Sequence, residues 1–180
     1  MAVNPERALV RARFAYERAR LMRAAVFVLP LAALAALAYG LGAKPSTSLG
    51  VGTALVSASW LFLWRGQTLG SAVPWGAFAG LFPLALAFGA RSFGHVCTGA
   101  ECVSLCVPAC TVGGIAAGLL VARAGRNVSS KATFFAAAGS VAALVGALGC
   151  SCVGYGGVAG LAAGLSLTLF PALLRRTSAT

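Results

Sequence analysis

The sequence contains no aspartate, and its acidic residues are Glu6, Glu17 and Glu101 alone. A paired-carboxylate site and a Ser-His-Asp triad therefore lack the residues to build them. There is one histidine, His95, and no Walker-type phosphate loop. Charged residues make up 9% of the 180, whereas a soluble domain carries about 25%. So few charges cannot cover a water-facing surface. No acidic residue falls within an apolar run, and no basic residue lies centrally in one. Ion-coupled transport usually needs buried ionisable groups, so that class is disfavoured too.

What is present is apolar and basic. Hydrophobic residues reach 59%, and the net charge is +11. The basic residues sit in an N-terminal tail and in short loops beside apolar runs, as in membrane proteins whose cytoplasmic loops are positive. They are not interleaved with aromatics on a soluble module, so direct nucleic-acid binding is not expected. Nor does the N-terminus read as a cleavable signal: its basic region is long, and no small-residue cleavage site follows a short apolar core.

Six apolar segments, at about 24–41, 49–64, 75–90, 106–122, 132–148 and 156–174, give the fold class. It is all-α, an integral membrane bundle of six transmembrane helices with the lipid bilayer as its principal partner. Residues 1–23 form a basic amphipathic tail, and residues 177–180 a short cytoplasmic C-terminal tail. Asn4, Pro5 and Glu6 suit a helix start. The tail reads as an anchor lying along anionic lipid, or as a docking helix for a cytoplasmic partner. Arg7, Arg11, Phe14 and Arg18 are its candidate contacts.

Further along, Pro30 is expected to bend the first span, and Gly42–Ser46 to make a turn. Trp60 and Trp64, beside Arg65, look like an interfacial belt. Arg65–Pro74 reads as a polar connection. Gly76 and Gly80 suit close helix packing, as do Gly156, Gly160 and Gly164, and Pro83 is expected to kink the third span.

Six spans put both ends on one side. Of the 14 Lys and Arg residues, only Lys44 and Arg91 fall on the other side. Both termini are therefore expected in the cytoplasm, in a multi-pass protein of the bacterial inner membrane. The same count puts Cys97, Cys102, Cys106, Cys110, Cys150 and Cys152 outside together. An oxidising compartment makes disulfides the default for these six. One pattern ties the Cys97–Cys110 group to Cys150 or Cys152. Cys102, Cys106 and Cys110 would line one stripe if their segment is helical. Two other readings stay open. One is a reversible thiol switch responding to redox or metal stress. The other is a soft-metal site using His95 with Cys97 and Cys102, although a paired Cys-x-x-Cys framework is lacking. No cofactor is expected.

From about Cys102 onward the chain resembles the NrsF-like six-helix inner-membrane anti-sigma factors. The resemblance lies in Cys106-Val-Pro108, the basic loop Arg123-Ala-Gly-Arg126, the small-residue run Ala136-Ala-Ala-Gly139 continuing to Gly146-Ala-Leu-Gly149, and then Cys150. The basic tail before the first span also matches. After its second cysteine the family usually has acidic and aromatic residues, where this chain has Ser151, Cys152 and Gly154. The resemblance implies a cytoplasmic sigma factor as partner, released on an envelope signal sensed through outer cysteines. The expected function is a non-enzymatic membrane regulator. The alternatives are a soft-metal or small-solute membrane carrier and a membrane thiol oxidoreductase.

Overall fold

A computed structural model describes the backbone at residues 5–40, 45–93, 95–98, 101–150 and 155–174. Side chains are described within those stretches except at 5–8, 45, 91, 93, 95–98, 101–104, 106, 150 and 155. Asn4, most of the Gly42–Ser46 turn, Cys152, Arg175-Arg176 and the 177–180 tail lie outside the described residues.

Six helices account for nearly all of it: α1 Pro5–Gly40, α2 Pro45–Arg65, α3 Gln67–Phe93, α4 Cys106–Ala124, α5 Lys131–Cys150 and α6 Tyr155–Leu174. All six are long and apolar enough to cross a membrane. The shortest, α4, has 19 residues, which at about 1.5 Å per residue gives the roughly 30 Å of a hydrocarbon core. Large apolar side chains such as Leu37, Leu61, Phe78, Leu119, Leu167 and Phe170 lie exposed on the outer faces. In water that surface would drive aggregation, whereas lipid tails solvate it.

Three boundaries differ from the sequence reading. The tail and the first span form one continuous helix of 36 residues, about 54 Å long. A tail lying along the lipid surface would need a bend near Arg23, and α1 shows no break there. The Arg65–Pro74 connection is also revised: α2 and α3 are separated by Gly66 alone, and Pro74 lies inside α3. A proline costs one helical hydrogen bond, and neighbouring helices and hydroxyls make that tolerable in a membrane. Nearby, the Ser71 hydroxyl donates to the Thr68 carbonyl at 3.0 Å. Third, the segment between α3 and α4 is not all loop. It holds a two-stranded antiparallel hairpin, β1 His95–Thr98 and β2 Glu101–Ser104.

Helix directions follow from close approaches. Gly76 of α3 faces Ala138 of α5, and Gly80 faces Val145, so α3 and α5 run parallel. A Cβ on Gly80 would sit 2.6 Å from the Val145 Cβ, inside van der Waals contact. Gly160 faces Val107 and Thr111, and Gly118 faces Leu165 and Thr168, so α4 and α6 run parallel as well. The glycines that sequence reading assigned to packing thus mark the two tightest pairings, α3 with α5 and α4 with α6. Gly156 is the exception, with only a van der Waals neighbour at 3.7 Å, the Val107 Cγ2.

The centre belongs to α5. In its apolar window 61% of residues are buried, against 22% in α1, α2 and α6. Two core clusters meet on it. Phe134, Ala138 and Ala142 pack with Cys110, Val121 and Leu161 on one side. Val141, Val145 and Leu148 pack with Leu31, Leu55 and Val73 on the other. Pro83 is fully buried where α3, α4 and α5 meet, and Gly113 and Gly146 leave space for its ring.

Candidate functional site

The cysteine end is built by three helix termini. The C-terminus of α3 leads into the hairpin, and the hairpin leads into the N-terminus of α4. Because α5 runs parallel to α3, its own C-terminal residue, Cys150, lies at that same end. The fold therefore gathers the backbones of Cys97, Cys102, Cys106, Cys110 and Cys150 at one end of the bundle. Of the cysteine side chains only that of Cys110 is among the described ones.

Cys110 lies on the first turns of α4, fully buried at 0% exposure. It is disulfide-bonded. Its turn is closed by the Ala109 amide donating to the Leu105 carbonyl at 3.1 Å. Burial and the disulfide together make Cys110 part of the packed core at this end of the bundle rather than a free surface thiol.

The backbone arranges the other cysteines in two groups. In the hairpin, Cys97 stands directly opposite Cys102. Opposed residues in antiparallel strands have Cα atoms about 4.5–5.5 Å apart, within the range a disulfide spans. This corrects the helical stripe: Cys102 belongs to β2, so only Cys106 and Cys110 share a helix, one turn apart. The reason is local. Val96, Thr98 and Val103 are β-branched and flank the short Gly99-Ala100 connection, which favours a hairpin over a helix. His95 lies at the start of β1, opposite Ser104, but its ring and the side chains of Cys97 and Cys102 fall outside the described residues.

The second group concerns α4 and α5. Gly113 and Gly146 both abut Pro83, so they stand level. Cys110 lies three residues outward of Gly113, and Cys150 four residues outward of Gly146. At about 1.5 Å per residue the two Cα atoms differ in height by only about 1.5 Å.

The opposite end carries the N-terminal extension of α1. A 36-residue helix exceeds a hydrocarbon core of about 30 Å by roughly 16 residues. Every described residue from Leu9 to Ala19 is exposed. Phe14 is 71% exposed. Arg11, Phe14 and Arg18 line one shallow surface together with Val10, Ala15 and Met22. Arg7 of the expected contact set has its side chain outside the described residues. Arg13 pairs with Glu17 at 3.6 Å on the solvent side, a contact worth at most about 0.5 kcal/mol.

Sequence reasoning did not find the cavity at the α2–α3 turn that Arg20, Arg23 and Arg65 line. Its signal was present in Arg20, Arg23 and Arg65, but their meeting depends on how α1 crosses that turn.

The chain matches no protein-family model, and no curated protein or solved structure is significantly similar to it.

Proposed function

We propose that this protein is a non-enzymatic regulator in the bacterial inner membrane, of the anti-sigma-factor type. The α1 extension faces the cytoplasm and holds a sigma factor, and the cysteine end faces the oxidising side. The observation that carries this reading is the opposition of two features across the bundle. A disulfide-bonded, buried cysteine lies at one end, and an exposed apolar-basic helix face lies at the other. The resemblance of the C-terminal half to NrsF-like proteins supports the choice of partner.

In this reading Cys110 pairs with Cys150, the cysteine whose backbone register fits it, and ties α4 to α5 at their outer ends. Cys97 pairs with Cys102 across the hairpin. Reduction of the α4–α5 tie by external thiols, which become oxidised to their own disulfide as Cys110 and Cys150 become thiols, frees helices whose packing reaches the opposite face, and the partner's affinity changes with it. The coupling is a difference between two packing states.

The test is capture of sigma factor by the intact protein in detergent, under oxidising and under reducing conditions. A sigma factor recovered in one condition and lost in the other is the expected result. No sigma factor in either condition contradicts the proposal.

A further inference from the structure

Where α1 passes the α2–α3 turn, a cavity of about 580 Å³ opens on the surface of the bundle. Arg20 and Arg23 reach it from α1, and Arg65 from the last turn of α2. Arginine stays charged at any physiological pH. Glu17 is the one acidic side chain among the described residues, and it is engaged with Arg13. Three guanidinium groups thus share a cavity with no carboxylate among the described residues to balance them.

The backbone adds to the positive field. Gly66 and Gln67 both take left-handed conformations, with φ of 66° and 49°. The chain reverses there in a single residue, and the N-terminus of the 27-residue helix α3 opens onto the cavity through Gln67 and Gly70. The first helical hydrogen bond closing that turn runs from the Gly70 amide to the Gly66 carbonyl at 3.1 Å. The amides before it have no acceptor within the helix and point toward the open end. Arg20 lies over the turn, its Nη2 2.9 Å from where a Gly66 Cβ would be. Ala24, Phe27 and Leu63 give the wall an apolar side, and Tyr16 and Ser71 add hydroxyl-bearing residues to the lining. One side therefore suits a phosphate, and the adjoining side suits an acyl chain.

We propose that this cavity binds the phosphate of an anionic phospholipid headgroup. The inference rests on the bilayer placement of the bundle and needs no sigma factor. Cationic pockets at the cytoplasmic ends of membrane helices are suited to such headgroups. Bidentate guanidinium–phosphate contacts explain why all three cations are arginines. A bound lipid would brace α1 against the α2–α3 turn, below the point where the extension leaves the membrane.

The experiment uses the intact protein in a neutral detergent, followed by thermal unfolding and native mass spectrometry. Phosphatidylglycerol is compared with phosphatidylcholine of the same chains, and inorganic phosphate with chloride. Phosphatidylglycerol is expected to raise Tm by on the order of 5 °C near a hundredfold excess over Kd and to remain as an adduct. Phosphatidylcholine should do neither. Arg20→Gln combined with Arg65→Gln should lose both effects, Arg65→Gln alone should weaken them, and Arg13→Gln should keep them. An equal response in wild type and double variant overturns the proposal, because the attraction would then be diffuse. A full Tm shift from inorganic phosphate alone also overturns the lipid assignment and leaves a free-anion site. Failure to capture a sigma factor would not move any of these readouts.

Discussion

Two buried polar or sulfur-bearing residues make opposite predictions. Ser59 is fully buried, and its hydroxyl has no hydrogen-bond partner among the described residues. Other hydroxyls in these helices bond back to a carbonyl, as Thr53 does to Leu49 at 2.8 Å and Thr111 to Val107 at 3.0 Å. Removing an unpaired buried hydroxyl removes a desolvation cost of about 1 kcal/mol or more. Ser59→Ala should therefore leave Tm unchanged or raise it. A clear drop would reveal a partner for that hydroxyl. Cys110 should behave the other way. Trypsin cuts at Arg91, Arg123, Lys131 and Arg175, so Cys97–Cys110 and Cys150–Cys152 fall in separate peptides. Without reductant these peptides should run as one linked species. In Cys110→Ser they should separate unless a second bridge joins them, and Cys106→Ser with Cys110→Ser then resolves the two. Separate peptides from the unreduced wild type would exclude the α4–α5 tie. At this scale the cysteine cluster was legible from its positions, but the role of Cys102 was not. Its spacing from Cys106 fitted a helix, whereas the β-branched residues around it favour a strand.

The α3–α5 interface depends on two glycines one turn apart. A Cβ on Gly76 would lie 2.5 Å from the Ala138 carbonyl oxygen, a backbone atom that cannot step aside. Gly76→Ala should force the helices apart and cost about 1–3 kcal/mol, read as a lower Tm or denaturant midpoint. Gly50→Ala, where a Cβ would meet nothing within 4 Å, should be neutral or stabilising by up to about 1 kcal/mol. An equal loss at both positions would mean that glycine's effect here is conformational rather than steric. The small-residue spacing was readable in advance. The choice of partner was not, because a one-turn glycine repeat specifies a close approach without naming the helix that approaches. The error at Arg65–Pro74 has a related cause. A polar run ending in proline signals a loop in water, yet in this bundle Gly66 alone makes the reversal and the helix runs through Pro74. The number and order of the spans were legible because apolar length is a strong signal. The union of tail and first span was less so, since a change from basic to apolar residues alters the surroundings of a helix without breaking it.

Across the whole molecule, the account depends on separating the two ends of the bundle. The extension should be dispensable for folding, since Phe14 and Arg18 are exposed and pack on nothing essential. Phe14→Ala with Arg18→Glu should leave Tm within about 1 °C of wild type, since exposed substitutions usually have small effects. The same variant should reduce sigma-factor capture at least about tenfold, corresponding to roughly 1.4 kcal/mol. Retained capture would remove this face from the proposal.

The most direct measurement of that separation is labelling in intact cells with a membrane-impermeant maleimide, before and after mild reduction, with the sites located by peptide mass. An Ala15→Cys reporter in α1 marks the extension. The proposed pairing predicts that Cys97, Cys102, Cys110 and Cys150 label in intact cells only after reduction. The reporter should label only once the cells are opened. Labelling of the reporter in intact cells, or of the native cysteines only in opened ones, would contradict it.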